Sequence, residues 1–223
     1  MNTTIQQNIS FQGKCPELEL GRRICHVINV NYPHISLSRL NPAFEKLELK
    51  KIINPSYLES VNIVSIRNII RKFEDSRVNF MFDSVEYANK VVNFLKNTRK
   101  GNCSENAFLA QFILKLNGFK DVYRCSLSKN KYKVDHVVCI FNRDGSEYNG
   151  AIKNNQTIIL DPWAGICEFA NKAFKIYENQ FRNTFAIPAK GHFYFRNIIE
   201  MNFTNRQLET LREKYPNLIF KQR

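Results

Sequence analysis

No apolar run in this chain approaches the ~20 residues that a helix needs to cross a bilayer. The opening residues, MNTTIQQNISFQGK, lack the basic-then-apolar layout of a secretory signal. The expectation is a protein with neither a membrane span nor a signal peptide. Glycine is scarce, with 8 residues among 223 against 18 Phe, and 43% of the chain is apolar. That composition excludes a linker or a disordered tail and is enough for a real core. Internal repeats and low-complexity stretches are absent as well. The chain therefore reads as one domain, 1–223, with a mainly helical part (1–98), a core (99–165) and a closing strand and helix (166–223).

Cysteine is present without a pattern. The six residues at 15, 25, 103, 125, 139 and 167 form no CxxC pair. Free thiols in a reducing compartment are expected, with no metal site and no cofactor. Acidic residues are in deficit, 20 against 33 Lys and Arg, for a net charge of +13. The basic residues are scattered, and no RGG tract, basic helical stripe or aromatic-basic RNP-like motif gathers them. A solubilising surface is the reading, and nucleic acid is not the expected partner.

Residues 1–53 hold several turn formers and no sustained period, so they read as irregular. Asn54-Pro55 looks like an N-cap followed by proline at the first helical position, opening a helix to about Phe73. A second helix follows in FDSVEYANKVVNFLKN, where Asp83 and Glu86 have capping-box spacing and Val85, Ala88, Val91, Val92 and Leu95 form a stripe. Beyond Gly118 the runs DVYRCSLS (121–128), VDHVVCIF (134–141) and TIILD (157–161) read as strands. GHFYFRNI reads as another, and Thr204 with Gln207 opens a last helix.

Between these blocks lies RKGNCSENAFLAQFILKLNG (99–118), a cysteine at the start of an apolar helix. That helix is ~22 Å long at 1.5 Å per residue. The following strand covers ~23 Å at 3.3 Å per residue, returning the chain to the level of Cys103. His136 stands near the start of the next strand and Asp161 at the end of its antiparallel neighbour. Cys103, His136 and Asp161 are thus expected to converge at one edge of the sheet. Cys103 shares a helical side with Ala107, Ala110 and Leu114, expected to face the sheet, while Ser104, Gln111 and Lys115 mark a wetter side.

These residue types belong together chemically. A helix N-terminus and an adjacent imidazolium favour a thiolate that attacks carbonyl carbon. Histidine takes and returns the proton, aspartate fixes the imidazole tautomer, and the first N–H groups of the helix are donors to an oxyanion. Singly, each residue has a bland explanation: a buried structural cysteine, a hydrogen-bonded core histidine, an aspartate that ends a strand before proline. Their order and convergence favour a triad over those.

GNCSENAFLAQFILKLNGF, DHVVCIF and IILDPWAG resemble the cysteine-helix, histidine-strand and aspartate-strand blocks of the transglutaminase-like, papain-like superfamily of cysteine enzymes. The resemblance covers residues 99–165. It implies an α+β fold with the nucleophile Cys103 on a central helix packed on an antiparallel sheet, His136 as base and Asp161 as orienting carboxylate. Asn97 takes the position of the papain-like oxyanion glutamine. Ser104 and Val137 stand where transglutaminase cores often carry an aromatic, and Lys100-Gly101 replaces the double glycine of arylamine acetyltransferases. The resemblance extends to bacterial effectors that modify host proteins. It implies proteolysis or glutamine deamidation of a host protein, and a bacterial cytoplasmic product delivered into the host cell by a specialised secretion system. The N-terminal hundred residues, long enough to cover the site and narrow its opening, favour deamidation. A cysteine protease, a transglutaminase or other acyltransferase, and a non-catalytic adaptor or nucleic-acid binder with a decayed triad remain open.

Overall fold

A computed structural model describes residues 15–32, 85–98, 101, 103–129, 132–141, 156–183 and 187–220. Among these the chain is α+β, with five helices and one five-stranded antiparallel sheet. Helix α1 spans Pro16–Asn31, inside the stretch expected to be irregular. Its causes are local: Pro16 at the first turn, Glu17 and Glu19 at the positive end of the helix dipole, and Gly21, Ile24, Cys25 and Ile28 buried on one stripe. The helix expected from Asn54 to Phe73, and the cap at Asp83, lie outside the described residues.

Helix α2, Val85–Thr98, buries Tyr87, Ala88, Val91, Val92 and Leu95, and carries a Glu86–Lys90 ion pair on its outer side. Helix α3, Cys103–Leu116, is buried all round from Glu105 onward. The wetter side expected at Gln111 and Lys115 does not exist. Gln111 is fully buried and donates to the carbonyls of Val122 (3.2 Å) and Ile199 (2.9 Å), while Lys115 donates to the Lys120 carbonyl at 2.6 Å. These bonds satisfy polar groups that the interior otherwise penalises. They also tie α3 to the first and last strands.

The strands are β1 (Val122–Lys129), β2 (Tyr132–Phe141), β3 (Ile158–Asp161), β4 (Ile166–Phe169) and β5 (Phe193–Glu200), arranged β4-β3-β2-β1-β5. β1, β2, β3 and β5 lie within a few residues of the expected runs, whereas β4 and the following helix α4 (Ala170–Gln180) are new. Edge strand β5 bulges where its pairing with β1 shifts between Arg124 and Ser126, and Asn197 there has φ +50. Such a bulge blunts an otherwise open edge. Helix α5, Asn205–Lys214, opens with both halves of the Thr204–Gln207 capping box.

The sheet separates two cores. On one face Cys139, Phe141, Ile158 and Leu160 pack with α1, α2 and α3, and on the other Val138, Ile140 and Ile159 pack with Ala170, Ala173 and Tyr177 of α4. Helix α1 approaches the first face so closely that a Cβ on Gly21 would lie 2.6 Å from Cys167 Sγ and 3.2 Å from the Phe141 ring. Overpacking of this kind costs about 1–3 kcal/mol, more than the ~1 kcal/mol that alanine gains over glycine inside a helix. Gly21→Ala should therefore lower stability in urea, and the penalty should shrink in a Cys167→Ala background. Equal penalties in both backgrounds would show that the contact is relieved some other way.

Candidate active site

The start of one helix, the end of one strand and the broken ladder of another come to the same place. Cys103 is the first residue of α3, and Asp161 the last of β3, followed by a turn over Pro162–Gly165 in which Gly165 takes φ +72. His136 lies in β2 where the ladder with β1 breaks. Ser126 pairs with Val137 and Ser128 with Lys133, so the single residue between them on β1 faces three on β2. A bulge redirects the side chains it carries. β2 and β3 pair through Cys139↔Leu160 and Ile140↔Ile159, and continuing that register sets Asp161 across from Val138. Asp161 therefore shares its face with Ile159 and Ile140.

On that face His136 Nε2 meets Asp161 Oδ2 at 2.6 Å, with both side chains at 1% exposure. Tyr177 Oη donates to the same Oδ2 at 2.8 Å, and the Ala164 N–H donates to Oδ1 at 3.1 Å. The Trp163 and Tyr177 rings stand edge-on to the imidazole at 5.4 and 5.8 Å. With Nε2 engaged by Asp161, Nδ1 is the ring nitrogen that remains for Cys103. Burial alone would lower the His136 pKa. The charge and hydrogen bond of Asp161, with the hydrogen bond and charge of Cys103, outweigh it and raise the value from 6.5 to about 10. The imidazole is a cation at neutral pH, held between a carboxylate and a thiol.

The structure brings Cys103, His136 and Asp161 together, but by a different route from the expected one. Ala107, Ala110 and Leu114 of α3 belong to the first core, whereas Cys103 packs against the second, with Trp163 and Tyr177. His136 and Asp161 face α4 rather than α3. The residues meet at the strand ends, where the tip of α3 reaches past the first face. Asn97 is exposed in the last turn of α2, and no described hydrogen bond ties it to Cys103. His26 and His192 are exposed.

Tyr177, Trp163 and the Ala164 amide escaped the sequence reading. Trp163 stands in the IILDPWAG block with no residue pattern to give it a role, and nothing local in α4 marks Tyr177. No group of His, Cys, Asp or Glu side chains among the described residues could hold a metal ion, and no described helix is long and apolar enough to cross a membrane. No protein-family model matches the chain, and no curated protein matches it in sequence.

The remaining thiols contrast with Cys103. Cys25, Cys125, Cys139 and Cys167 are buried. Burial pushes Cys25 up to about 12, with the Asp161 charge adding to it, and the other three well above the ordinary thiol range. Cys15 is half-buried, and its Sγ–H is donated to the Glu17 carboxylate at 3.2 Å. Cys103 is half-buried beside an imidazolium. Brief iodoacetamide treatment of the native protein should therefore modify Cys103 first of the six, as read by peptide mass spectrometry. His136→Gln should slow that reaction at least tenfold, and faster labelling of any buried cysteine would overturn the assignment.

Proposed function

We propose that the chain is a thiol-dependent amide hydrolase of the transglutaminase-like, papain-like kind that deamidates a glutamine side chain of a protein. The observation that carries this reading is the buried His136–Asp161 pair, with Cys103 at a helix N-terminus next to the same imidazole. Cys103 Sγ attacks the carboxamide carbon, and the charge that develops on oxygen is met by the first N–H groups of α3. His136 passes its Nδ1 proton to the departing ammonia, leaving an acyl-thioester on Cys103. Water then gives a proton to the same nitrogen and attacks the thioester carbon. The product carboxyl group forms, and the thiolate–imidazolium pair returns.

Enclosure favours a side-chain tip over an extended backbone. The imidazole is 1% exposed with Trp163 and Tyr177 edge-on to it, and the Cys103 thiol beside it is half-buried. The likeness of this compact, basic chain, with its divergent N-terminal part, to bacterial effector enzymes adds a host protein as substrate and delivery by a specialised secretion system.

Incubating the protein and its Cys103→Ala variant with host-cell lysate, followed by mass spectrometry of the whole digest, tests the reading. Cys103-dependent glutamine-to-glutamate gains of about one dalton are expected. New termini without deamidation would mean a protease of the same fold, and amine adducts a transglutaminase. Indifference to Cys103→Ala would mean that the triad does not act.

A further inference from the structure

Asp161 Oδ2 accepts two hydrogen bonds at once, from His136 Nε2 at 2.6 Å and from Tyr177 Oη at 2.8 Å. We propose that Tyr177 is a positioning residue of the triad: its phenol fixes the Asp161 carboxylate and, by sharing Oδ2 with the imidazole, weakens the carboxylate's hold on the His136 proton. The inference rests on the reading of Cys103, His136 and Asp161 given above.

Packing alone asks for no hydroxyl here. The Tyr177 ring is wholly buried and stands edge-on to His136 and Phe181, contacts that phenylalanine would make equally well. A buried hydroxyl is costly unless it is bonded, and this one is aimed at the carboxylate. Burial, with Asp161 beside it, pushes the phenol well above its ordinary pKa, so it stays a donor across the working range. Its place is set by the next residue. Glu178 pairs with the buried Lys129 of β1 at 2.5 Å, and Lys129 lies over the Phe193 ring, which fixes the rotation of α4.

A second donor on Oδ2 has a definite electrostatic consequence. While His136 is protonated, its cation already compensates the carboxylate. Once the proton leaves, Asp161 carries its charge alone, and the phenol stabilises that state more than the paired one. Tyr177 therefore opposes the pull that keeps the imidazolium protonated, and it helps His136 release its proton to a leaving group near neutral pH. The titratable groups around the pair are Cys103 from α3, Tyr177 from α4 and Cys25 from α1, which feels the Asp161 charge, with Cys125 of β1 close enough to influence the phenol. Among the described side chains, Tyr177 is the one that donates to the carboxylate without carrying a charge; the Ala164 N–H bonds the other oxygen.

The test is side-chain 15N NMR of His136 titrated across the alkaline range in the wild-type protein and in Tyr177→Phe. Loss of the phenol is expected to raise the His136 midpoint by about half a unit or more. An unchanged or lowered midpoint overturns the proposal, because a ring that merely packs would leave it unmoved. Should Tyr177→Phe fail to fold, 3-fluorotyrosine at position 177 is a stronger donor and should lower the midpoint; no change there overturns it equally. The titration needs no substrate. A wild-type protein without Cys103-dependent turnover would sink the hydrolase reading while the titration still decided the role of Tyr177.

Discussion

A carboxylate in the interior of a protein is tolerated only when its charge is answered, and the region around Asp161 is built to answer it. The side chain is 1% exposed and receives donors from three separate parts of the chain: the His136 ring of β2, the Tyr177 phenol of α4 and the Ala164 amide of the turn after β3. Burying an unpaired charge costs several kcal/mol. Strand, helix and turn must therefore be in place together, or the charge goes unanswered. The neighbouring Lys129–Glu178 pair repeats the device one residue further along α4, with Lys129 1% exposed. Consecutive residues 177 and 178 thus fasten the helix to β3 and to β1.

The chemistry follows from where this charge sits relative to the two cores. α3 belongs to the core on the opposite face, held by Gln111, Lys115 and an apolar girdle, and only its first residue reaches round the strand ends. Cys103 is therefore offered to the imidazole from a rigid helix, at the end where backbone N–H groups are unpaired. The β2 bulge does the complementary work, setting His136 beneath Trp163 while its Nε2 stays on Asp161. Dividing the fold into two cores lets Cys103 and His136 be supported independently and meet only at their tips.

The strands and the α5 capping box were legible because β-branched alternation and Thr204–Gln207 spacing are local properties. Helix α1 was not, although Pro16 and the spacing of Gly21, Ile24, Cys25 and Ile28 carried it. Glycine and β-branched residues are poor helix formers, and here they mark close packing on Cys167 and Phe141. β4 is four residues long, and α4 buries a narrow stripe of two alanines and Tyr177, so neither rises above a polar background. The three triad residues could be singled out because a histidine and an aspartate inside apolar strands demand a reason. The facing of Cys103 could not, since α3 is apolar on every side, whereas alternation does set His136 and Asp161 on the face of Val134, Val138, Ile140 and Ile159. Tyr177 was beyond reach, because its hydrogen bond exists only in the tertiary structure.

The central claim is that the folded protein stores a charged His136–Asp161 pair in its interior. Because the His136 pKa is raised in the fold, from 6.5 to about 10, its stabilising contribution is fully present below 6.5 and is lost as pH rises toward 10. Urea unfolding of Cys103→Ala and of Cys103→Ala/His136→Gln, compared from pH 6.5 to 8.5, isolates the pair, because the remaining thiols and phenols are the same in both and cancel in the difference. The stability advantage of the histidine-bearing protein should shrink steadily over that interval, by up to about 1.4 kcal/mol per pH unit. A difference that stays flat across the interval would contradict the account, since it would mean that folding takes up no proton at His136.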